Sequence, residues 1–360
     1  MSVPFSYIIV EFVFYLLGVW VVEVGFYENR ENYYNILTRE GDVILIDLMN
    51  HLHRFLWVHK DLSVIVDGEE VRTGHIYGFL QFLTVLRDRF PKGHFVIVLD
   101  GNDKTRRELN PDYKSGRDRS FDMYKDVWDI VRFSSLLEGV YFSYHEDYEA
   151  DDTICSLCES MTNLCRSNHL KKDIYILSND KDMYQLVREG GDVSVRIIRK
   201  FGQGRKWMED ADLVDTSKVR ETFNGVYPEN LVKFRAISGD SSDKLKGYYR
   251  FRKSNAAIIA ENFDYSVEKK GFVLKEGVSF DSKWDSMMAP VLRDINLFDT
   301  NYRIMKMKVY PATIGRFDCK DSIESICKKL DVLKMRKFIQ KILTKGYSPY
   351  RQKLYKYLTV

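Results

Sequence analysis

The sequence predicts an α/β protein, a mostly parallel sheet flanked by helices and followed by a helical C-terminal region. Three observations carry that reading. Short apolar runs of strand length alternate with stretches of helical length. Three of the runs end at, or just before, an aspartate, and from about Thr216 onward the pattern turns helical.

Taken in order, residues 12–22 form an uncharged run of 11 bracketed by Glu11 and Glu23. That is shorter than the roughly 18–20 residues needed to cross a bilayer, and it lacks the basic start and small-residue cleavage site of a secretory signal. Residues 1–40 are therefore expected to be a hydrophobic extension with no part in the chemistry. The apolar run 43–46 ends in Asp47, the run 95–99 ends in Asp100, and the run 174–177 is followed by Asp180; residues 193–198 form a fourth strand. Helices are expected over 74–89, 122–137, 150–165 and 182–187. In an open α/β sheet, ligands bind beyond the carboxyl ends of the strands. One acid after a strand means little because loops are polar, but three in register point to a site.

Composition narrows the class. Hydrophobic residues make up 45% and charged residues 30% of the 360, the profile of a folded globular chain. A formal net charge of +3 gives no general affinity for polyanions, so any nucleic-acid role must rest on local charge. Residues 320–360 hold 11 Lys/Arg against three acids, which reads equally as a solvated face or a phosphate-facing surface. The five cysteines, Cys155, Cys158, Cys165, Cys319 and Cys327, are odd in number and contain no second CxxC. Neither a disulfide framework nor a zinc site is expected, and reduced thiols imply a cytoplasmic setting.

The densest acidic cluster is Glu149-Ala150-Asp151-Asp152, at the start of a helix, where acids also serve as caps. The theme recurs in Asp180-Lys181-Asp182 and again in Gly239-Asp240-Ser241-Ser242-Asp243. Gathered in one pocket, these carboxylates would repel one another strongly. An oxygen-only donor set without His or Cys favours Mg²⁺ or Mn²⁺ over Zn²⁺.

The order Asp47, Asp100, Glu-Ala-Asp-Asp, Asp-Lys-Asp and Gly-Asp-Ser-Ser-Asp resembles the flap endonuclease / 5′→3′ exonuclease family, over about residues 42–263. The resemblance implies a PIN-like nuclease domain over 41–225 with a helical arch at about 101–137. A helical region over 226–360 follows, with a helix–three-turn–helix at about 228–263 and the basic tail. It also implies two Mg²⁺ ions, replaceable by Mn²⁺. Asp47, Asp100, Glu149 and Asp151 would hold the first ion. Asp151, Asp180, Asp182 and Asp240 would hold the second, Asp151 bridging, with Asp152 and Asp243 as further or outer ligands.

The segment from Lys104 through Arg106, Arg107, Tyr113 and Lys114 to Arg117 is similar to the family's arch entrance. By that likeness Lys114 and Arg117 would meet the scissile phosphate, Tyr113 would stack on a base, and Arg54 would be a further phosphate contact. Where the family has a Gly-rich hairpin of the form IPGxxGxG, which binds a monovalent cation and duplex backbone, this chain has Lys244-Leu245-Lys246-Gly247-Tyr248-Tyr249-Arg250-Phe251-Arg252-Lys253. One of those glycines is left, and the Lys and Arg side chains, with Lys104, Arg106 and Arg107, are expected to hold the backbone instead. Within the family, this hairpin and the stretch 295–299 most resemble the T-even phage type of ribonuclease H.

The function so implied is structure-selective hydrolysis at 5′ ends of RNA–DNA or DNA–DNA duplexes, as in primer removal or flap cleavage during replication. A single-strand-binding protein and a sliding clamp would be partners, and the chain would act as a monomer. The alternatives are a PIN-type endoribonuclease, which generally lacks the Gly-Asp-x-x-Asp region and the Tyr-Lys…Arg arch, and a non-catalytic nucleic-acid-binding module, which should have lost some ligands.

Overall fold

The computed structural model describes residues 7–10, 24–27, 31–115, 123–201, 208–279, 281–317, 319 and 322–358. The apolar run 12–22 lies outside the described residues, as does Arg117. Among the described residues no helix is long and apolar enough to cross a membrane.

Six strands form the central sheet: β1 (Val43–Asp47), β2 (His94–Val98), β3 (Val140–Ser143), β4 (Lys172–Leu177), β5 (Val193–Lys200) and β6 (Asp212–Val214). Their spatial order is β6-β5-β4-β1-β2-β3. Every pairing is parallel except the edge strand β6, which runs antiparallel to β5. Central strand β1 is buried along its whole length, as expected where both faces are covered. Its side chains alternate between two cores. Val43 and Leu45 join one, Ile44 and Ile46 the other.

The first core is closed by α5 (Ala150–Asn168), through Ile154, Leu157, Cys158 and Met161. Under the second lie α1 (Leu48–Val58), α2 (Gly74–Arg89) and α4 (Met123–Ser134), with α3 (Lys104–Leu109) leading out of β2. Further along come α6 (Leu231–Ser238), α7 (Lys253–Asn262) and α8 (Ile295–Met305); α6, α7 and Phe298 of α8 extend the first core, while Ile304 and Met305 cluster with Tyr113 and Leu245. The last three helices, α9 (Ile323–Val332), α10 (Arg336–Lys345) and α11 (Arg351–Leu358), return to the second. There Ile326, Leu330, Phe338, Ile339 and Leu354 share a cluster with strand residues Phe95 and Ile97. Tail lysines pair with nearby acids: Lys345 with Asp88 at 2.6 Å, and Lys329 with Asp129.

Two expectations change. Residues 182–187 do not form an α-helix; a 3₁₀ segment runs from Lys181 to Leu186 instead, capped by Asp180. The structure adds β3 and an antiparallel hairpin over 63–66 and 69–72 to the elements expected from the sequence. That hairpin carries a legible signal, Asp67-Gly68, both at positive φ between short alternating flanks.

Because α9–α11 share the sheet's core, Leu330→Ala should destabilise the whole protein by about 2–5 kcal/mol. Urea unfolding followed by far-UV circular dichroism and by tryptophan fluorescence should shift together. A separate early transition would show that the C-terminal helices fold independently.

Candidate active site

Parallel strands present their carboxyl ends at one edge, and the acids gather there. Asp47 ends β1 and caps α1. One of its oxygens accepts the Asn50 N–H at 3.1 Å, and the other accepts the Ser178 hydroxyl at 3.2 Å. Burial pushes its carboxyl up to about 7, and the charges of Asp100 and Asp180 push the same way. Asp100, just past β2, accepts the Ala150 N–H at 2.8 Å and so holds the start of α5. In the first turn of α5, Asp151 is raised well above the usual carboxylate range by burial, then by Asp180, with Asp47 and Glu149 adding to it. Asp180, past β4, accepts the Asp182 N–H at 2.8 Å. Asp47, Asp100, Glu149, Asp151 and Asp180 thus share one electrostatic field.

A second group lies beside it. Asp182, Asp240 and Asp243 each offer an oxygen, and these atoms all fall within 4.8 Å of one another. Asp240 and Asp243 stand on a tight turn in which Asp240 and Leu245 exchange backbone hydrogen bonds at 2.9 and 2.7 Å. The turn needs its two glycines. Gly239 is at φ +75°, and a Cβ on Gly247 would sit 2.2 Å from the Ser238 carbonyl oxygen. The family resemblance implies Asp180 in the second set and Asp243 as a further or outer ligand. In the structure Asp180 faces Asp47 and Asp151, while Asp243 joins Asp182 and Asp240.

Cations complete the edge, and here several expectations are corrected. Arg106, expected at nucleic acid, is 4% exposed. It pairs with Glu149 and, at 2.6 and 2.8 Å, with both oxygens of Asp152, and its Nε donates to the Ile304 carbonyl at 2.9 Å. Asp152 also accepts the Lys308 N–H at 2.8 Å, so its oxygens are engaged in positioning α5 rather than open to an ion. Tyr113, expected to stack on a base, is 3% exposed, and its hydroxyl donates to Glu149 at 3.2 Å. Lys114 donates to the other Glu149 oxygen at 2.6 Å from a left-handed backbone, φ 51°. Burial alone would raise the Glu149 carboxyl, but Lys114 and Arg106 hold it below its ordinary value.

The remaining candidates are more open. Arg54 is exposed on α1, two turns beyond Asp47. Lys104 is exposed, and Arg107 pairs with Asp103 at 2.9 Å. Lys244, Lys246, Arg250, Arg252 and Lys253 are all exposed, and Lys244 donates to Ser115 at 3.0 Å, tying the hairpin to the arch entrance. Arg235, on α6, pairs with both Asp182 and Asp240 and was not foreseen. Its signal was a cation one position from the apolar Phe234 and Ala236 of a short helix.

Nine carboxylates stand against Arg106, Lys114 and Arg235, all with oxygen donors and several desolvated. Such a set fits a hard divalent cation. The residues that would hold it are Asp47, Asp100, Glu149, Asp151 and Asp180 in one group and Asp182, Asp240 and Asp243 in the other.

The family description "5′-3′ exonuclease, N-terminal resolvase-like domain" matches residues 42–224. The DNA polymerase I of Bacillus subtilis (strain 168) is 26% identical over 239 residues, 65% of this chain and 24% of that protein. A 5′-3′ exonuclease of the same organism is 28% identical over 227 residues, 62% of this chain and 70% of the other. The chain therefore spans about a quarter of the length of such polymerases. Of solved structures, the T5 D15 protein co-crystallised with metal ions is similar with a TM-score of 0.49 and 16% identity, covering 84% of this chain and 98% of that one.

The raised carboxyls predict a pH dependence. A carboxyl whose pKa is higher folded than unfolded stabilises the fold below the unfolded value, and that contribution is lost as pH rises to the folded value. In EDTA, wild-type protein should lose stability relative to Asp47→Asn between pH 4 and about 7. Urea midpoints of the two proteins at pH 5, 6, 7 and 8 measure this, and parallel curves would remove Asp47 from the account. Separately, Arg106→Met removes one of the two cations on Glu149 and the guanidinium held by buried Asp152, and should cost about 3–5 kcal/mol at pH 8.

Proposed function

The chain belongs to the 5′-3′ exonuclease family, and from that premise we propose that it is a structure-selective 5′-nuclease hydrolysing phosphodiester bonds at 5′ ends of DNA–DNA or RNA–DNA duplexes. The observation that carries the reading is the gathering of family-motif acids at the carboxyl edge of the sheet, with the Lys114 amine on Glu149. Removal of primers or flaps during replication is the biological role this chemistry suits. Single-strand-binding protein and sliding clamp are the expected partners of a monomeric enzyme in the cytoplasm.

Two Mg²⁺ ions, with Mn²⁺ able to substitute, would supply an activated water and stabilisation of the leaving oxygen. The chain's own residues do the rest. Asp47, Asp100, Glu149, Asp151 and Asp180 hold the cation-binding oxygens of one group, and Asp182, Asp240 and Asp243 those of the other. Asp151 lies electrostatically against Asp180 and Asp47, which suits it to a ligand of the first group. Arg106 and Asp152 fix the start of α5 and with it the aim of Glu149 and Asp151. Lys114 approaches phosphate from the Glu149 side, where its charge balances negative charge developing on the transferring group. The exposed cations of the 244–253 hairpin, with Lys104, Arg107 and Arg54, hold duplex backbone without reading sequence.

A 5′-labelled duplex with a 5′ overhang should be cut with Mg²⁺ or Mn²⁺ and left intact in EDTA. No cleavage with either ion would end the proposal. Asp151→Asn should lower kcat by at least 10²-fold, and Lys114→Ala by about 10²–10³-fold, with duplex affinity changed far less. If affinity falls in step with turnover, Lys114 is a backbone anchor only. Binding should weaken steeply with salt, as several phosphates are engaged.

A further inference from the structure

Arg235 stands out among the charged groups of the pocket because both of its partners belong to the second carboxylate group. It lies on α6, the helix that ends at Gly239 immediately before Asp240, and its terminal nitrogens reach Asp240 on one side and Asp182 on the other. Asp182 comes from the 3₁₀ segment after β4, so the guanidinium closes a gap between the sheet and the helical region. All three side chains are largely withdrawn from water, with 11%, 16% and 12% exposure for Arg235, Asp182 and Asp240.

A divalent ion among Asp182, Asp240 and Asp243 needs their oxygens converging at about 2.0–2.6 Å. The guanidinium claims oxygens of two of these three acids, and its planar fork is suited to spanning two carboxylates. Ion and guanidinium would thus compete for the same two carboxylates. We propose that Arg235 is the resident counter-cation of this group: it closes the group in the metal-free protein and trades places with a divalent ion. Lys114 plays no such part, because its contact is to Glu149 in the other group.

The exchange has two consequences. Binding of an ion here carries the cost of separating a desolvated ion pair, so the group takes its ion more weakly than its charge alone would give. The displaced guanidinium, still anchored on α6, then needs a new anion, and a substrate phosphate at the pocket provides one. Metal and phosphate should therefore bind cooperatively through Arg235.

This rests on the metal-site reading above, and the test separates the two. Mn²⁺ binding is measured by isothermal titration calorimetry and electron paramagnetic resonance on wild-type protein, Arg235→Gln and Arg235→Lys, with thermal melts in EDTA and in Mn²⁺. The weaker Mn²⁺ site should tighten about tenfold in Arg235→Gln, about 1.4 kcal/mol, while the tighter site stays unchanged. Arg235→Lys keeps the charge but loses the fork, and should also bind more tightly than wild type. Both variants should melt lower in EDTA and gain more from Mn²⁺ than wild type gains. A 5′-phosphorylated oligonucleotide should raise Mn²⁺ affinity in wild type and much less in Arg235→Gln.

Weaker Mn²⁺ binding in both variants would overturn the proposal and make Arg235 a support for the carboxylates. Tightening in Arg235→Gln with Arg235→Lys at the wild-type value would also overturn it, since net charge alone would then explain the gain. If no protein binds Mn²⁺, the metal-site reading itself fails and this inference with it. Should Arg235→Gln not fold, the Arg235→Lys titration and melts decide.

Discussion

The structure depends on how like charges are kept together at the carboxyl edge of the sheet. Two carboxylates about 4 Å apart at a protein surface repel by about 4 kcal/mol, and here nine acids converge. The fold answers with four devices. Backbone N–H groups of Asn50, Ala150, Asp182 and Ser242 donate to Asp47, Asp100, Asp180 and Asp240. Cations are set among them, with Arg106 and Lys114 on Glu149 and Arg235 on Asp182 and Asp240. Burial raises the carboxyls of Asp47 and Asp151 above the ordinary carboxylate range, which disfavours their charged forms. The last device would be a divalent cation, which the remaining oxygen donors suit.

That solution explains the architecture around the edge. Parallel strands bring Asp47, Asp100 and Asp180 to one rim because their carboxyl ends coincide. The N-terminus of α5 delivers Glu149 and Asp151 with a dipole that favours negative charge. The helical region adds Asp240 and Asp243 on a turn too tight for side chains at Gly239 or Gly247. Asn301 on α8 braces that turn, donating to the Ala236 and Lys246 carbonyls at 3.0 and 2.8 Å. The Arg106 bond to the Ile304 carbonyl then fastens the arch entrance to α8.

Legibility in the sequence follows the range of the interaction. Strands β1, β2 and β4 were readable because their burial leaves continuous apolar runs, and the acids after them because an aspartate at such an end breaks the run. β5, VSVRIIRK, shows instead the alternation of a half-buried strand. β3 was not, since Val140–Ser143 is four residues long and follows a helix closely. Residues 182–187 carry a helix-like pattern, yet the Asp180 cap and the return into β5 leave room only for a 3₁₀ turn. The acids of the site were visible through local motifs, whereas the roles of Arg106 and Tyr113 were not. Arg106 meets Asp152, 46 residues away, and Tyr113 meets Glu149, 36 away, and no local pattern encodes contacts that only the folded chain creates.

The hairpin after Asp243 shows how backbone shape and side-chain chemistry can separate. Gly247 is retained where the neighbouring chain comes closest, since any Cβ would strike the Ser238 carbonyl. Arg250 stands where the family pattern has its next glycine, yet its φ is 53°, the left-handed region that a glycine would occupy at no cost. For an ordinary residue that conformation costs roughly 1–2 kcal/mol, and Lys244, at φ 59°, bears the same strain. The path of a glycine turn is therefore kept while its side chains become basic, and both strained residues are exposed cations. A grip made of bare amides demands close approach and fixed geometry. One made of Lys and Arg acts at longer range, tolerates variation in the helix it holds and is screened by salt. The strain at Lys244 and Arg250 is thus the cost of keeping the path of a glycine turn while presenting Lys and Arg side chains to solvent.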